Sequence, residues 1–172
     1  MKFAQGENKF RIVGSSDDEP NPGFIQGMVG WTTDAEGNRR PVRWPKNEQA
    51  PRVQFQDPPR EFFAFIVWNY ADDRIQILEL TQAGLKNELY ALAVDDEWGD
   101  PRKYDVAVIR DGEGKDTSYV MTPKPHKKRS DEINSAVKAM SVDLTKLYTG
   151  DDPFEAGQVA QDDEPTDGKD PF

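Results

Sequence analysis

The stretch Phe62-Phe63-Ala64-Phe65-Ile66-Val67-Trp68-Asn69-Tyr70 constrains this chain more than any other. Its first seven residues are apolar without a break, and aromatic and β-branched types dominate, as strands prefer. Side chains alternate across a strand. Phe62, Ala64, Ile66, Trp68 and Tyr70 therefore share one face, and Phe63, Phe65, Val67 and Asn69 the other. Both faces are apolar, which suits a strand in the middle of a sheet. The run is far short of the roughly 20 residues a bilayer span needs, so no membrane segment is expected.

Other elements arrange themselves around it. Residues 9–13 read as a first strand ended by Gly14, and 15–23 as a loop. Phe24–Thr33 is a weaker, loop-borne strand because Gly27 and Gly30 interrupt it. Residues 34–61, with five prolines and many charges, read as one long extended loop, a kind that is usually functional or disordered. Ala71-Asp72-Asp73 turns the central strand into its hairpin partner, Arg74–Leu80. Thr81 then caps a helix over 82–94, where Leu85, Leu89 and Leu92 keep helical spacing. Strands at 104–110 and 117–122 flank a glycine-rich turn. Ser130 caps a second helix whose first turn holds Asp131 and Glu132, and a short helix covers 142–148. The expected class is all-β-dominated with accessory helices. Five main strands with a helix between the third and fourth is the order of the oligonucleotide-binding (OB) barrel.

Charge divides the chain. The net charge is −10, yet residues 149–172 alone hold eight acids and one base. That segment has no strand or helix periodicity and carries glycine and proline throughout. It reads as a disordered acidic tail after a folded domain of residues 1–148. The tripeptide Asp152-Pro153-Phe154 opens the tail and Asp170-Pro171-Phe172 ends it.

Positive charge also clusters. Residues 39–60 hold Arg39, Arg40, Arg43, Lys46, Arg52 and Arg60 against two acids, and 124–129 hold Lys124, Lys127, Lys128 and Arg129 against none. Binding unpaired nucleic acid without reading sequence takes cations along the phosphates and aromatic faces for the bases. The candidate stacking residues are Trp31, Trp44, Trp68, Tyr70 and Phe63, with Phe65 assigned to the core and Arg74 added to the cations. Trp98 reads as structural. The absence of cysteine rules out disulfides and thiolate metal sites, and the single histidine, His126, leaves little room for histidine catalysis. His126 itself reads as a solvated side chain among lysines. Neither an enzymatic role nor a cofactor is expected, and acid pairs such as Asp72/Asp73 and Asp95/Asp96 read as turn residues rather than Mg²⁺ ligands.

Several pieces in order carry a resemblance. They are Lys9-Phe10-Arg11-Ile12-Val13-Gly14-Ser15, Gly30-Trp31-Thr32, Arg40-Pro41-Val42-Arg43, Phe65-Ile66-Val67-Trp68-Asn69-Tyr70, Ile75-Gln76-Ile77-Leu78-Glu79-Leu80-Thr81, Trp98-Gly99-Asp100-Pro101, Tyr104-Asp105-Val106, and Arg110-Asp111-Gly112-Glu113-Gly114 with Tyr119. Through them the chain resembles the single-stranded DNA-binding proteins of tailed bacteriophages. The resemblance implies an OB core, no catalysis, no cofactor and a cytoplasmic location in a bacterial host cell. It also implies roles in DNA replication, recombination and repair. The tail, with Asp170, Pro171 and Phe172 at its end, would engage phage or host replication proteins such as a polymerase, helicase, primase or nuclease. Met28 and Gly30 depart from the family, where many relatives carry aromatics before the tryptophan. The zinc insert of some relatives is excluded without cysteines. The competing expectation is an acidic DNA mimic or adaptor that binds a host enzyme, and a metal-dependent nuclease ranks third.

Overall fold

The computed structural model describes residues 1–14 and 23–154. Its strands are β1 (Gly6–Ile12), β2 (Phe24–Thr33), β3 (Arg39–Pro45), β4 (Arg60–Asn69), β5 (Arg74–Leu80), β6 (Tyr104–Asp111) and β7 (Ser118–His126). Its helices are α1 (Ala83–Val94), α2 (Asp131–Ala139) and α3 (Lys146–Thr149). Every strand pairing is antiparallel. The path runs β3-β2-β4-β1-β6-β7, with β5 also on β4.

β4 is the centre, as its sequence requires. β5 takes one edge, while β2 and β1 share the other: Phe65 pairs with Phe24, and Val67 with Ile12. Phe62, Ala64, Ile66 and Trp68 enter one core, with Ile25, Val29, Ile133 of α2 and Leu144. Val67 enters a second core with Phe10, Leu78, Val106 and the α1 residues Leu85 and Leu89. Two apolar faces on one strand thus give two cores, one on each side of the sheet.

The five-stranded closed barrel is not what forms. Seven strands make the sheet, and it does not close, because β3 and β7 end the path without pairing to each other. Part of the supposed loop 34–61 is the missing strand. Asp34 makes the turn that starts it, its Oδ1 accepting from the backbone N–H groups of Glu36 at 3.0 Å and Asn38 at 2.8 Å, while Gly37 takes a left-handed φ of +87°. Pro41 and Pro45 are tolerated in β3 because it is an edge strand, where a missing N–H costs no ladder bond. Gly27 does not weaken β2 but permits it. A Cβ there would lie 2.6 Å from the Trp44 carbonyl oxygen and 2.8 Å from the Phe62 ring.

Two termini of elements also differ. Ser130 caps α2 as expected, its Oγ accepting from the Ile133 N–H at 3.3 Å. α1 instead has Gln82 at its N-cap, without a side-chain cap bond, so Thr81 does not fill that role. The start of the tail moves as well. Phe154 is buried and bridges Val142, and Asp152 Oδ1 accepts from the Phe154 N–H at 2.9 Å. The folded part therefore reaches Phe154 rather than residue 148. Asp170, Pro171 and Phe172 lie outside the described residues. No helix among the described residues is long and apolar enough to cross a membrane.

Candidate nucleic-acid interface

The aromatic candidates separate into buried and half-exposed. Trp68 is 4% exposed and belongs to the first core. Trp44 is 6% exposed, because Phe55 from the 46–59 connection stacks on it. Neither ring is open to a base, which corrects both assignments. Trp68 lies on the face of β4 that α2 covers, and Trp44 lies beneath a connection that folds back over Gly30. Tyr70 is half-buried and committed elsewhere: its hydroxyl donates to Asp105 Oδ1 at 2.9 Å and the Lys9 ammonium lies 4.3 Å from its ring centroid. Burial and then the Asp105 carboxylate push its hydroxyl up to about 12. Trp31 is half-buried, with the Arg39 guanidinium 4.3 Å over its ring. Phe63 is half-buried.

Several predicted cations are already paired. Arg43 Nε meets Glu79 Oε2 at 2.8 Å, Arg40 Nε meets Asp34 Oδ2 at 2.8 Å, and Arg74 reaches Asp72 at 4.0 Å. Lys124 reaches Glu7 at 3.4 Å and Lys127 reaches Asp105 at 3.9 Å. Arg52 and Lys128 are exposed. The two basic runs do not meet along the sheet, since β3 and β7 stand at opposite ends of the strand path. His126 is not a loose solvated ring: it stacks on Tyr104 with centroids 5.2 Å apart and 7° between planes.

What the fold brings together is a row along β4. Phe24 of β2 stands opposite Phe65, their rings stacked at 4.9 Å and 28°. Phe63 meets Phe24 edge-on at 5.4 Å. Phe24 is 40% exposed, so the row has an open aromatic face.

Cations stand at both ends of this row. At the Arg60 end, Glu61 accepts from Lys46, Gln26 and Lys86, which hold its carboxyl at about 2. Lys46, which is exposed, and Lys86, which is buried, thus outnumber the one carboxylate between them. A cleft of about 620 Å³ opens there, its lining including Arg60, Glu61, Lys86 and Tyr119. At the Phe65 end lies Arg102, already paired with Asp100 at 2.9 Å, followed by Lys103, with the run 127–129 fastened beside them. Arg11 does the fastening. Its Nε donates to Asp105 Oδ1 at 2.6 Å, its NH1 to the Arg102 carbonyl at 3.3 Å and its NH2 to the Lys127 carbonyl at 2.9 Å. Arg129 NH1 donates to the Val13 carbonyl at 3.3 Å. Burial raises the Asp105 carboxyl, but hydrogen bonds from Arg11 and Tyr70 outweigh it and leave the group below its ordinary value.

No family model, curated protein or solved structure matches this chain.

Sequence reasoning missed Phe24, Lys86, Arg102 and Lys103. Phe65, assigned to the core, packs half-buried against the second core and also stacks on Phe24. For the others the partner across the sheet decides, and no local pattern carries that. Among the described residues no group of three or more metal-ligating side chains is gathered in one place.

Proposed function

We propose that this protein binds single-stranded DNA without sequence preference, along the Phe63–Phe65–Phe24 row. Bases stack on the aromatic faces, and phosphates follow the cations at the two ends. Stacking tolerates any base because every base has a π face. The observation that carries this reading is the Phe24–Phe65 pair: two stacked rings, one of them 40% exposed, near the basic run that Arg11 secures. The order β4, β5, α1, β6, β7 supports reading the sheet as an OB-type arrangement left unclosed.

The acidic segment 155–172, with a net charge of −5, competes for the same cations when DNA is absent. Once DNA displaces it, its final Asp170-Pro171-Phe172 is available to a replication protein.

The direct test is fluorescence anisotropy with a labelled oligonucleotide of about 30 nucleotides, longer than the roughly 4–16 that one OB fold covers. Binding is expected at low salt, with log affinity falling linearly in log salt at about −0.7 per phosphate neutralised. Absence of binding at low salt overturns the reading and favours an acidic mimic or adaptor.

A further inference from the structure

At the Phe65 end of the aromatic row the surface opens into a second cleft, of about 290 Å³. One wall is the stacked pair Phe24 and Phe65. Ile12, the buried last residue of β1, also lines it. The remaining lining includes Pro101 and Arg102, and Arg102 leans on Gly14. A Cβ at Gly14 would stand 3.1 Å from Arg102 Cδ, so a side chain there would push the arginine stem aside. Asp100 holds the guanidinium in place. Arg102 Nε donates to Oδ1 and Oδ2 at 3.1 Å each, and NH2 to Oδ2 at 2.9 Å.

This chemistry suits a flat, largely apolar group rather than a phosphate. The charge of Arg102 is already met by a carboxylate, so an anion gains little from entering. The walls are aromatic and aliphatic. The volume of about 290 Å³ falls just under the roughly 300–1,000 Å³ of whole-ligand sites, room for a single ring system rather than a larger ligand. A guanidinium held in one orientation also offers a plane for stacking. Lys103 follows Arg102 in the chain and its carbonyl accepts from the Lys127 N–H, while Arg129 NH1 donates to the Val13 carbonyl beside Ile12 and Gly14, so this basic segment is joined to the residues that line the cleft.

We propose that this cleft is a base slot: one nucleobase of the bound strand leaves the stack and inserts beside Phe24 and Phe65, facing Pro101 and Arg102. The proposal rests on the single-strand reading above and adds to it a source of discrimination. Cations and exposed rings also attract duplex DNA, whereas a slot admits only a base free of its partner, and freeing one costs least in a strand already unpaired.

The test uses the full chain with labelled isoleucine methyl groups, and two small probes. Adenosine is expected to shift the Ile12 methyl signal, and ribose 5-phosphate is not. Pro101→Trp, which plugs the slot, should abolish the adenosine shift and weaken oligonucleotide binding about five- to 150-fold, the value of one stacked base. Its salt dependence should stay unchanged. Phe63→Ala, outside the slot, should keep the adenosine shift. Oligonucleotide binding by the wild-type chain, together with an Ile12 signal that adenosine leaves unmoved, overturns the slot and leaves the single-strand reading standing. Loss of all oligonucleotide binding overturns that reading instead, and the adenosine shift of Ile12 then judges the slot alone.

Discussion

Phe55 lies stacked on Trp44, centroids 5.4 Å apart and planes 29° from parallel. The ring that shuts this tryptophan from solvent thus comes from eleven positions further along the same chain. The arrangement depends on Gly30, where a Cβ would fall 2.4 Å from Phe55 Cδ1. Phe55→Ala should therefore uncover Trp44, and Gly30→Ala should do so by displacing the ring. We expect a red-shifted tryptophan emission, greater acrylamide quenching and a stability loss of about 2 kcal/mol, below the ~3–5 kcal/mol of a fully buried Phe→Ala change. Unchanged quenching in both variants would show that the pair does not shield Trp44.

The aromatic row and the buried tryptophans predict opposite mutant profiles. Phe24→Ala and Phe63→Ala should each weaken single-strand binding by about 1–3 kcal/mol, as loss of one stacking contact does, at nearly constant stability for the more exposed Phe24. Trp68→Phe should leave a gap in the first core and lower the urea midpoint, while affinity at saturating folding conditions stays within about twofold, well under the ~1.4 kcal/mol of a tenfold change. Titration calorimetry beside urea unfolding separates the two profiles.

The Arg11–Asp105 pair is almost entirely enclosed, with side chains 1% and 3% exposed. Removing one partner leaves the other charge buried, which costs roughly 3–5 kcal/mol. Asp105→Asn and Arg11→Met should each approach that loss in chemical denaturation, and the double variant should recover part of it. Because Arg11 also holds the Lys127 carbonyl, Arg11→Met should further weaken DNA binding and loosen amide exchange protection at Lys127. A double variant as unstable as the sum of the singles would contradict this coupling.

Acid should unfold the protein in a defined window. Lys46, then Gln26 and Lys86, hold the Glu61 carboxyl at about 2 against an ordinary 4.5. A depressed folded value means that the stabilisation is complete above the ordinary value and is lost as pH falls through the folded one. The urea midpoint should drop between about pH 4.5 and 2, and Glu61→Gln should flatten part of that drop. Asp105, Asp100 and Asp34, also held low, contribute in the same direction. A Glu61→Gln profile superimposable on the wild type would contradict the assignment.

Two truncations should behave differently. Deleting residues 155–172 removes a net charge of −5 and leaves the described fold whole, so affinity for single strands should rise at low salt and converge with the wild type at high salt. Deleting residues 151–172 also removes Phe154 from the first core, and should cost about 3 kcal/mol, the low end for a buried Phe→Ala change. Equal melting temperatures for the two would show that Phe154 contributes nothing to the core.

Much of the architecture was legible because it is written in local patterns. The two apolar faces of residues 62–70 demanded a central strand, and it is central. The 74–80 hairpin, the Ser130 cap and the helical spacing of Leu85 and Leu89 all rest on neighbours within a few residues. β3 was hidden because its prolines suppress the strand signal, and only its position at the edge makes them acceptable. Phe154 looked like part of a tail because the acidic composition around it outweighs one aromatic ring.

The sequence alone determined the central strand, the positions of α1 and α2, the segregation of charge and the exclusion of cysteine chemistry, since each depends on residue type and short spacing; the short helix expected over 142–148 forms only over Lys146–Thr149, because Val142 pairs with Phe154 instead. Which rings face water and which cations share a surface was decided by tertiary structure alone. Phe24 reaches Phe65 across a strand pairing 41 residues apart, and Arg11 joins Arg102 to Lys127 over still longer separations. The same row of aromatic side chains becomes core or platform according to what the folded chain lays over it.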